Sequence, residues 1–280
     1  HTTLDQHADS YRKIRNTFRY LLGNLNDNFE DIDLENINLS ELPELEKFML
    51  HKVYSLNENF KNYFNNLGNG LREDFQYGST VMVQIRQNNA FNSLKDIFRV
   101  QYRVVADAFK NYSLDRMQNT KDFETEFQTE LDTYIENNVG TLVTGINDST
   151  RNKIQNVIND GFSSGQSVQN TGNALRNSII GMGVYRANLI ARTEVHRTAS
   201  FANELVAENM NIAGTVKEWV AVQDARTRLT HTIASGQQVG IEESFVVGGY
   251  KLKYPGDPGG PPEETINCRC VSIYTTPDFL

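Results

Sequence analysis

Cysteine, proline and tryptophan are scarce in this chain, at two, six and one among 280 residues. Two cysteines one residue apart cannot supply a disulfide framework, and a bond between them would close a very small, strained ring. The chain therefore reads as made for a reducing cytosol. No apolar run approaches the ~18–20 residues of a membrane span, and no signal peptide is visible, so no membrane partner is expected. Basic charge is also in deficit: 27 Lys and Arg stand against 35 Asp and Glu, for a net charge of −8. Phosphate would repel such a chain as a whole, which excludes wrapping nucleic acid over the full surface and leaves only local basic faces. The first residue is His where Met would normally stand, as expected of a processed or trimmed start.

What remains is ample for a core. Hydrophobic residues make up 39% and charged ones 22%, enough for one large domain or two modest ones. Acid gathers at 23–48, where Asp27, Glu30, Asp31, Asp33, Glu35, Glu41, Glu44 and Glu46 meet Lys47 alone. Residues 151–197 reverse the sign, with six Arg or Lys against Asp160 and Glu194. Both segments are expected to be solvated faces.

The fold class expected is α+β: a mostly helical N-terminal body, 1–145, then a small C-terminal α+β module, 146–280, with a short sheet. A stripe of Leu45, Met49, Val53, Leu56, Phe60, Phe64 and Leu67 predicts a helix that starts at Pro43 and stops at Gly68. Phe91, Leu94, Phe98, Val105 and Phe109 make a second stripe. Phe123, Phe127, Leu131, Tyr134 and Ile135 make a third, ending before Gly140. Beyond Gly145, Asp148 or Ser149 would cap a helix that buries Ile154, Val157 and Ile158 and stops at Gly161. Ser167 would cap another, with Val168, Leu175 and Ile179 inward, and a longer helix runs from about Val184 to Asn211. The helices extend to about 213, followed by strand, helix, strand, loop and strand. "TVKEWVAV" alternates with period two. "DARTRLTHTIASG" suits a short helix with Asp224 as N-cap and Gly236 just past its end, and "GYKLKY" and "CRCVSIYTT" suit strands.

Chemistry-bearing residues fall in two segments. On a helix, "IARTEVHRTASFA" puts Arg192 and His196 four apart on one face, with Glu194 in reach of Thr198 and Arg197. In "DARTRLTH", Thr227, Arg228 and His231 would line one side of a helix begun by Asp224. Glu194, His196, Asp224, Arg228 and His231 would suffice for acid–base work on a phosphate or glycosidic bond, as a nuclease or transferase requires. An ion-paired network joining helix to sheet is the simpler expectation for the same groups, and no enzyme is expected. Cys268 and Cys270 would point to one side of a strand, and with His196 and His231 they make a Cys2His2 donor set for zinc, the one cofactor these residues would accept. Packing of the two cysteines in the core is the simpler expectation. The run "PGDPGGPPEE" reads as a rigid surface arm ending in Glu263 and Glu264.

Taken in order, "RANLIARTEVHRTASFAN", "KEWVAVQDARTRLTH", "SGQQV", "ESFVVGG" and "KLKYPGDPGGPPEETINCRC" resemble the phage head morphogenesis family, the minor head proteins similar to the F protein of phage Mu. The resemblance is strongest over 186–274 and extends more loosely to about 148. Its marks fall on Arg192, Thr193, Glu194, Trp219, Asp224, Arg226, Thr227, Arg228, His231, Gly236, Pro255, Asn267, Cys268 and Cys270. It implies a minor structural protein of a tailed-phage head, made in the host cytoplasm and placed in the virion near the portal vertex. The implied partners are the portal protein, the major capsid or scaffolding protein, and viral DNA during retention or delivery. No catalytic role comes with the resemblance. Similar modules occur joined to toxin domains, and a chain ending at Leu280, six residues after the matching segment, is expected to lack one. A zinc-stabilised interaction module is the remaining alternative.

Overall fold

The computed structural model describes residues 44–76, 80–117 and 123–275. Pro43 and nearly all of the acidic segment lie outside them. Four long helices come first: α1 (Glu44–Gln76), α2 (Thr80–Met117), α3 (Glu124–Ser163) and α4 (Val168–Met210). The α+β class with a helical body is what is observed. The chain forms two compact units, and each long helix contributes to both. One contains residues 54–101 and 133–191; the other contains 44–53, 102–132 and 192–275 among the described residues. The boundary expected between 145 and 146 falls inside α3.

In the first unit, the apolar stripes bury as their spacing requires. Leu56, Phe60, Phe64, Leu67 and Leu71 of α1 are core residues, as are Leu94 and Phe98 of α2. The Phe60 and Phe98 rings meet at 5.1 Å between centroids. Leu175 and Ile179 are buried on α4, but Val168 is exposed, contrary to expectation, because it sits at the first residue of the helix.

The predicted glycine stops are the main correction. α1 runs through Gly68 and Gly70, and α3 runs through Gly140 and Gly145 without a new start. Ser149 caps nothing; its hydroxyl donates to the carbonyl of Gly145 at 2.9 Å inside the helix. Likewise the helices expected on either side of Val184 are one, α4. Gly68 and Gly161 serve packing. A Cβ on Gly68 would lie 3.1 Å from the Arg176 carbonyl oxygen, and one on Gly161 would lie 2.5 Å from Thr171 Oγ1. The actual terminator of α3 is Gly165, at φ +64°, two residues before Ser167 caps α4 by accepting from the Asn170 amide at 3.2 Å.

In the second unit, helical residues Tyr102, Val105, Phe109, Phe127, Leu131 and Val195 pack as a core beside the C-terminal sheet segment. There β1 (Val216–Val220) is the central strand, antiparallel to both β2 (Gln238–Gly240) and β5 (Val271–Thr275). β3 (Phe245–Val247) and β4 (Tyr250–Leu252) form a hairpin whose two-residue turn, Gly248–Gly249, has positive φ at both positions. Only glycine enters that turn without strain. Two short helices complete the module: α5 (Leu229–Ala234) and α6 (Pro262–Thr265), the latter inside what was expected to be an irregular loop. Trp219 centres the core, with Phe245 edge-on at 5.3 Å and Leu252, Val247, Ala234, Cys268 and Cys270 around it.

Helical glycines therefore divide by what surrounds them. A Cβ on Gly183 would sit 2.3 Å from Phe64 Cβ, whereas one on Gly145 would meet nothing within 4 Å. Gly183→Ala is expected to destabilise by about 1–3 kcal/mol through overpacking. Gly145→Ala should stabilise by up to about 1 kcal/mol, because alanine is the better helix former. Thermal unfolding of the two variants checks the opposite signs.

Candidate functional site

The chemistry-type residues occupy α4 and the loops that cover it. From Ala191 to Ser200, ten consecutive α4 residues are buried, so this helix has no solvent face there. Its polar groups must be paired inside the protein. Glu194, 1% exposed, accepts from the Tyr102 hydroxyl and from Arg197 Nη1 at 2.8 Å. Arg197 Nε then donates to the Gly256 carbonyl at 2.9 Å. His196 Nε2 donates to the Cys270 carbonyl at 2.8 Å, and Thr193 Oγ1 accepts from the Asn267 amide at 3.0 Å. Burial lowers the His196 pKa.

The proline-rich run closes over these groups. Gly256, at φ +82°, brings backbone within reach of Arg197, and a Cβ there would lie 3.1 Å from His196 Nδ1. Asp257 braces the corner by accepting from the Lys253 and Gly259 amides, each at 2.8 Å. Pro255 and Gly256 are buried. The expectation of a surface arm is corrected most clearly at Glu264. Its side chain is buried, accepting from Thr230 Oγ1 at 2.8 Å and from His231 Nε2 at 3.0 Å.

Asp224 is not a helix N-cap. It opens a turn, accepting from the Arg226 amide at 3.0 Å, and α5 starts only at Leu229. Thr227 and Arg228 thus precede the helix that carries His231. Thr227 Oγ1 donates to the Val222 carbonyl, and Arg228 Nη2 donates to the Ile266 carbonyl at 2.6 Å. Arg269 forks onto both Asp224 oxygens at 2.6 and 2.5 Å, and this pairing holds the Asp224 carboxyl well below the usual range. Gly236, at φ +87°, donates its amide to the Trp219 carbonyl at 2.7 Å.

Sequence reasoning passed over the most deeply buried ion pair. Lys217, 1% exposed on β1, donates to Glu204 of α4 and to the Lys253 carbonyl at 2.9 Å. Tyr274 of β5 donates to the other Glu204 oxygen at 2.7 Å. Burial raises the Glu204 pKa to about 7, even against the opposing pull of Lys217. The alternation of β1 offered a signal, since Lys217 shares its side with Trp219.

Both cysteines are buried, lying in the extended run that precedes β5 and not on the strand itself. His231 Nδ1 is 3.2 Å from Cys270 Sγ and 3.7 Å from Cys268 Sγ. Burial opposes ionisation of both thiols. Contacts from Cys270 and His231 nevertheless draw Cys268 well below the usual thiol range, and Cys270 is pushed above it. Of the Cys2His2 set, three members converge. His196 does not join them, its Nε2 being committed to a carbonyl.

Residues 152–273, a little under half of the chain, match the family model described as Phage Mu protein F like protein. The match supports a phage Mu F-like head morphogenesis family for this segment. The family is one of structural phage head proteins. Other likenesses are local. An isoleucine–tRNA ligase of Pelagibacter ubique is 72% identical over 64 residues, 23% of this chain and 7% of that protein. An NAD(+)–arginine ADP-ribosyltransferase EFV of Enterococcus faecalis is 37% identical over 86 residues, 30% of this chain and 18% of that protein. The chain thus spans less than a fifth of either relative. No solved structure matches.

Within the Mu F-like module, the sign of the Glu204 shift sets a pH dependence. A carboxyl whose folded pKa is raised stabilises the fold while protonated. That contribution is lost as pH rises from its ordinary 4.5 to about 7. Unfolding free energies measured by denaturant titration across this window are expected to fall with pH, and Glu204→Gln should flatten the slope. Lys217→Met, which leaves the carboxylate buried without its cation, should cost about 3–5 kcal/mol near pH ~8 and less near pH ~5.

Proposed function

We propose that this chain is a minor structural protein of a tailed-phage head, present in few copies near the portal vertex, acting in head assembly and in DNA retention or delivery. The observation that carries the reading is an exposed apolar face on a module whose polar family residues turn inward. Leu229 and Ile233, one helical turn apart on α5, are each 74% exposed. On the β3–β4 hairpin, Val246 and Tyr250 are also exposed, on opposite faces. The Leu229–Ile233 pair is the exposed apolar surface offered here for protein–protein contact. The portal protein is the partner proposed for it, and the helical body is proposed to meet capsid or scaffolding protein.

Contact with viral DNA is proposed for the polar groove lined by Asn152, Lys153, Asn156, Asn177 and Arg186. Of the six basic residues counted between 151 and 197, Arg192 and Arg197 are buried and do not form a solvated face. An enzymatic reading would need Glu194, His196, Asp224, Arg228 and His231 around one substrate. Their bonds go instead to Tyr102, Cys270, Arg269, Ile266 and Glu264.

The test is co-sedimentation with purified portal particles. Wild-type protein is expected to bind, and Leu229→Asp/Ile233→Asp to bind at least ~10-fold more weakly with an unchanged melting temperature, as for loss of an interface anchor. Failure of the wild type to bind portal, or undiminished binding by the double variant, refutes the docking surface.

A further inference from the structure

Beyond that structural role, we infer that His231, Cys268 and Cys270 form a zinc-binding site, with His231 Nδ1 and the two sulfurs as ligands. The three donor atoms lie within 4.8 Å of one another, and all three residues are buried. Around a tetrahedral zinc, sulfur at ~2.3 Å and nitrogen at ~2.0 Å put neighbouring ligand atoms roughly 3.5–3.8 Å apart. Of the Nδ1 distances, 3.7 Å lies in that range and 3.2 Å a little below it. Closing the set on a cation requires shifts of no more than about an ångström.

A second observation concerns the far side of the imidazole. His231 Nε2 donates to the buried Glu264 carboxylate at 3.0 Å. That bond places the ring proton on Nε2 and turns the Nδ1 lone pair toward both sulfurs. Metal-binding histidines have their other nitrogen oriented in this way by a carboxylate. Glu264 is itself fixed, by Thr230 Oγ1 at 2.8 Å and by close approach of the Gly248 backbone, where a Cβ would lie 2.2 Å from Glu264 Oε1. On the sulfur side, the buried Trp219 indole N–H has no nitrogen or oxygen acceptor. Its ring stands edge-on to His231 at 5.5 Å.

The donor chemistry selects the metal. Two thiolates and an imidazole suit zinc and disfavour magnesium or calcium, which take oxygen ligands. Three protein donors leave one tetrahedral position for a small ligand such as water. The cation would tie α5 to the turn after α6 and to the approach to β5. Its binding free energy would then add to the stability of the module.

The full chain, purified without chelator, is expected to hold about one zinc per chain by elemental mass spectrometry, and Cys268→Ser/Cys270→Ser less than ~0.2. Cobalt(II) exchanged into the wild type should give a sulfur-to-cobalt charge-transfer band and tetrahedral ligand-field bands. This readout stands even where the double variant fails to fold. Glu264→Gln, folded by circular dichroism, should bind zinc about 10–100-fold more weakly in chelator competition. Wild-type protein with less than ~0.2 zinc and no cobalt–sulfur band overturns the site, as does equal zinc in wild type and double variant. Unchanged affinity in Glu264→Gln overturns the role given to the carboxylate. None of these readouts involves portal binding, so the docking proposal stands or falls separately.

Discussion

Two carboxylates on α4, Glu194 and Glu204, are held out of water, and the arrangement of the C-terminal module depends on matching them. A buried charge costs several kcal/mol in lost hydration unless opposite charge and hydrogen-bond donors surround it. Glu194 is answered by Tyr102 and Arg197, and Glu204 by Lys217 and Tyr274. These partners come from α2, from α4 itself, from the central strand and from the last strand. Each carboxylate therefore specifies where another element must stop. A helix-to-sheet packing defined by apolar contact alone would tolerate sliding; one defined by matched charges does not.

The same constraint accounts for the partners of residues that look catalytic. Histidine, glutamate, aspartate and arginine are the usual acid–base groups, but here their donors and acceptors are taken up by protein. Asp224 is held by the Arg269 fork, Arg197 by a loop carbonyl, and His196 by the carbonyl of Cys270. The proline- and glycine-rich run supplies one of those carbonyls, that of Gly256. Its rigid course sets it at a fixed position, which a flexible loop could do only at greater entropic cost. The outside of the module is then available for contact, and Leu229 and Ile233 are part of that outside.

The cysteines occupy the junction of these two themes. They pack against Trp219 as small apolar groups, and they also face a histidine whose other nitrogen is anchored on a carboxylate. Core packing accounts for their burial. It does not require the Glu264–His231 bond, which orients one particular ring nitrogen toward sulfur.

The sequence by itself determined what depends on neighbours a few residues away. The helical stripes, the Ser167 cap, the alternating strand around Trp219 and the family marks from Arg192 to Cys270 were all legible, because 3.6- and 2-residue periods and local turn chemistry act over short range. It misplaced the helix ends at Gly68, Gly140 and Gly161, because a glycine inside a helix looks the same in sequence as one that ends a helix. It missed the unity of α4, which runs through Gly172, Gly181 and Gly183. Only the tertiary structure decided that Glu264 lies inside and Lys217 is paired, and that three of four zinc-type donors meet while His196 does not. Those outcomes rest on partners 13 to 74 residues apart, such as Lys217 with Glu204 and His196 with Cys270. No local propensity encodes such pairings; they follow from which polar groups the packed core leaves needing one another.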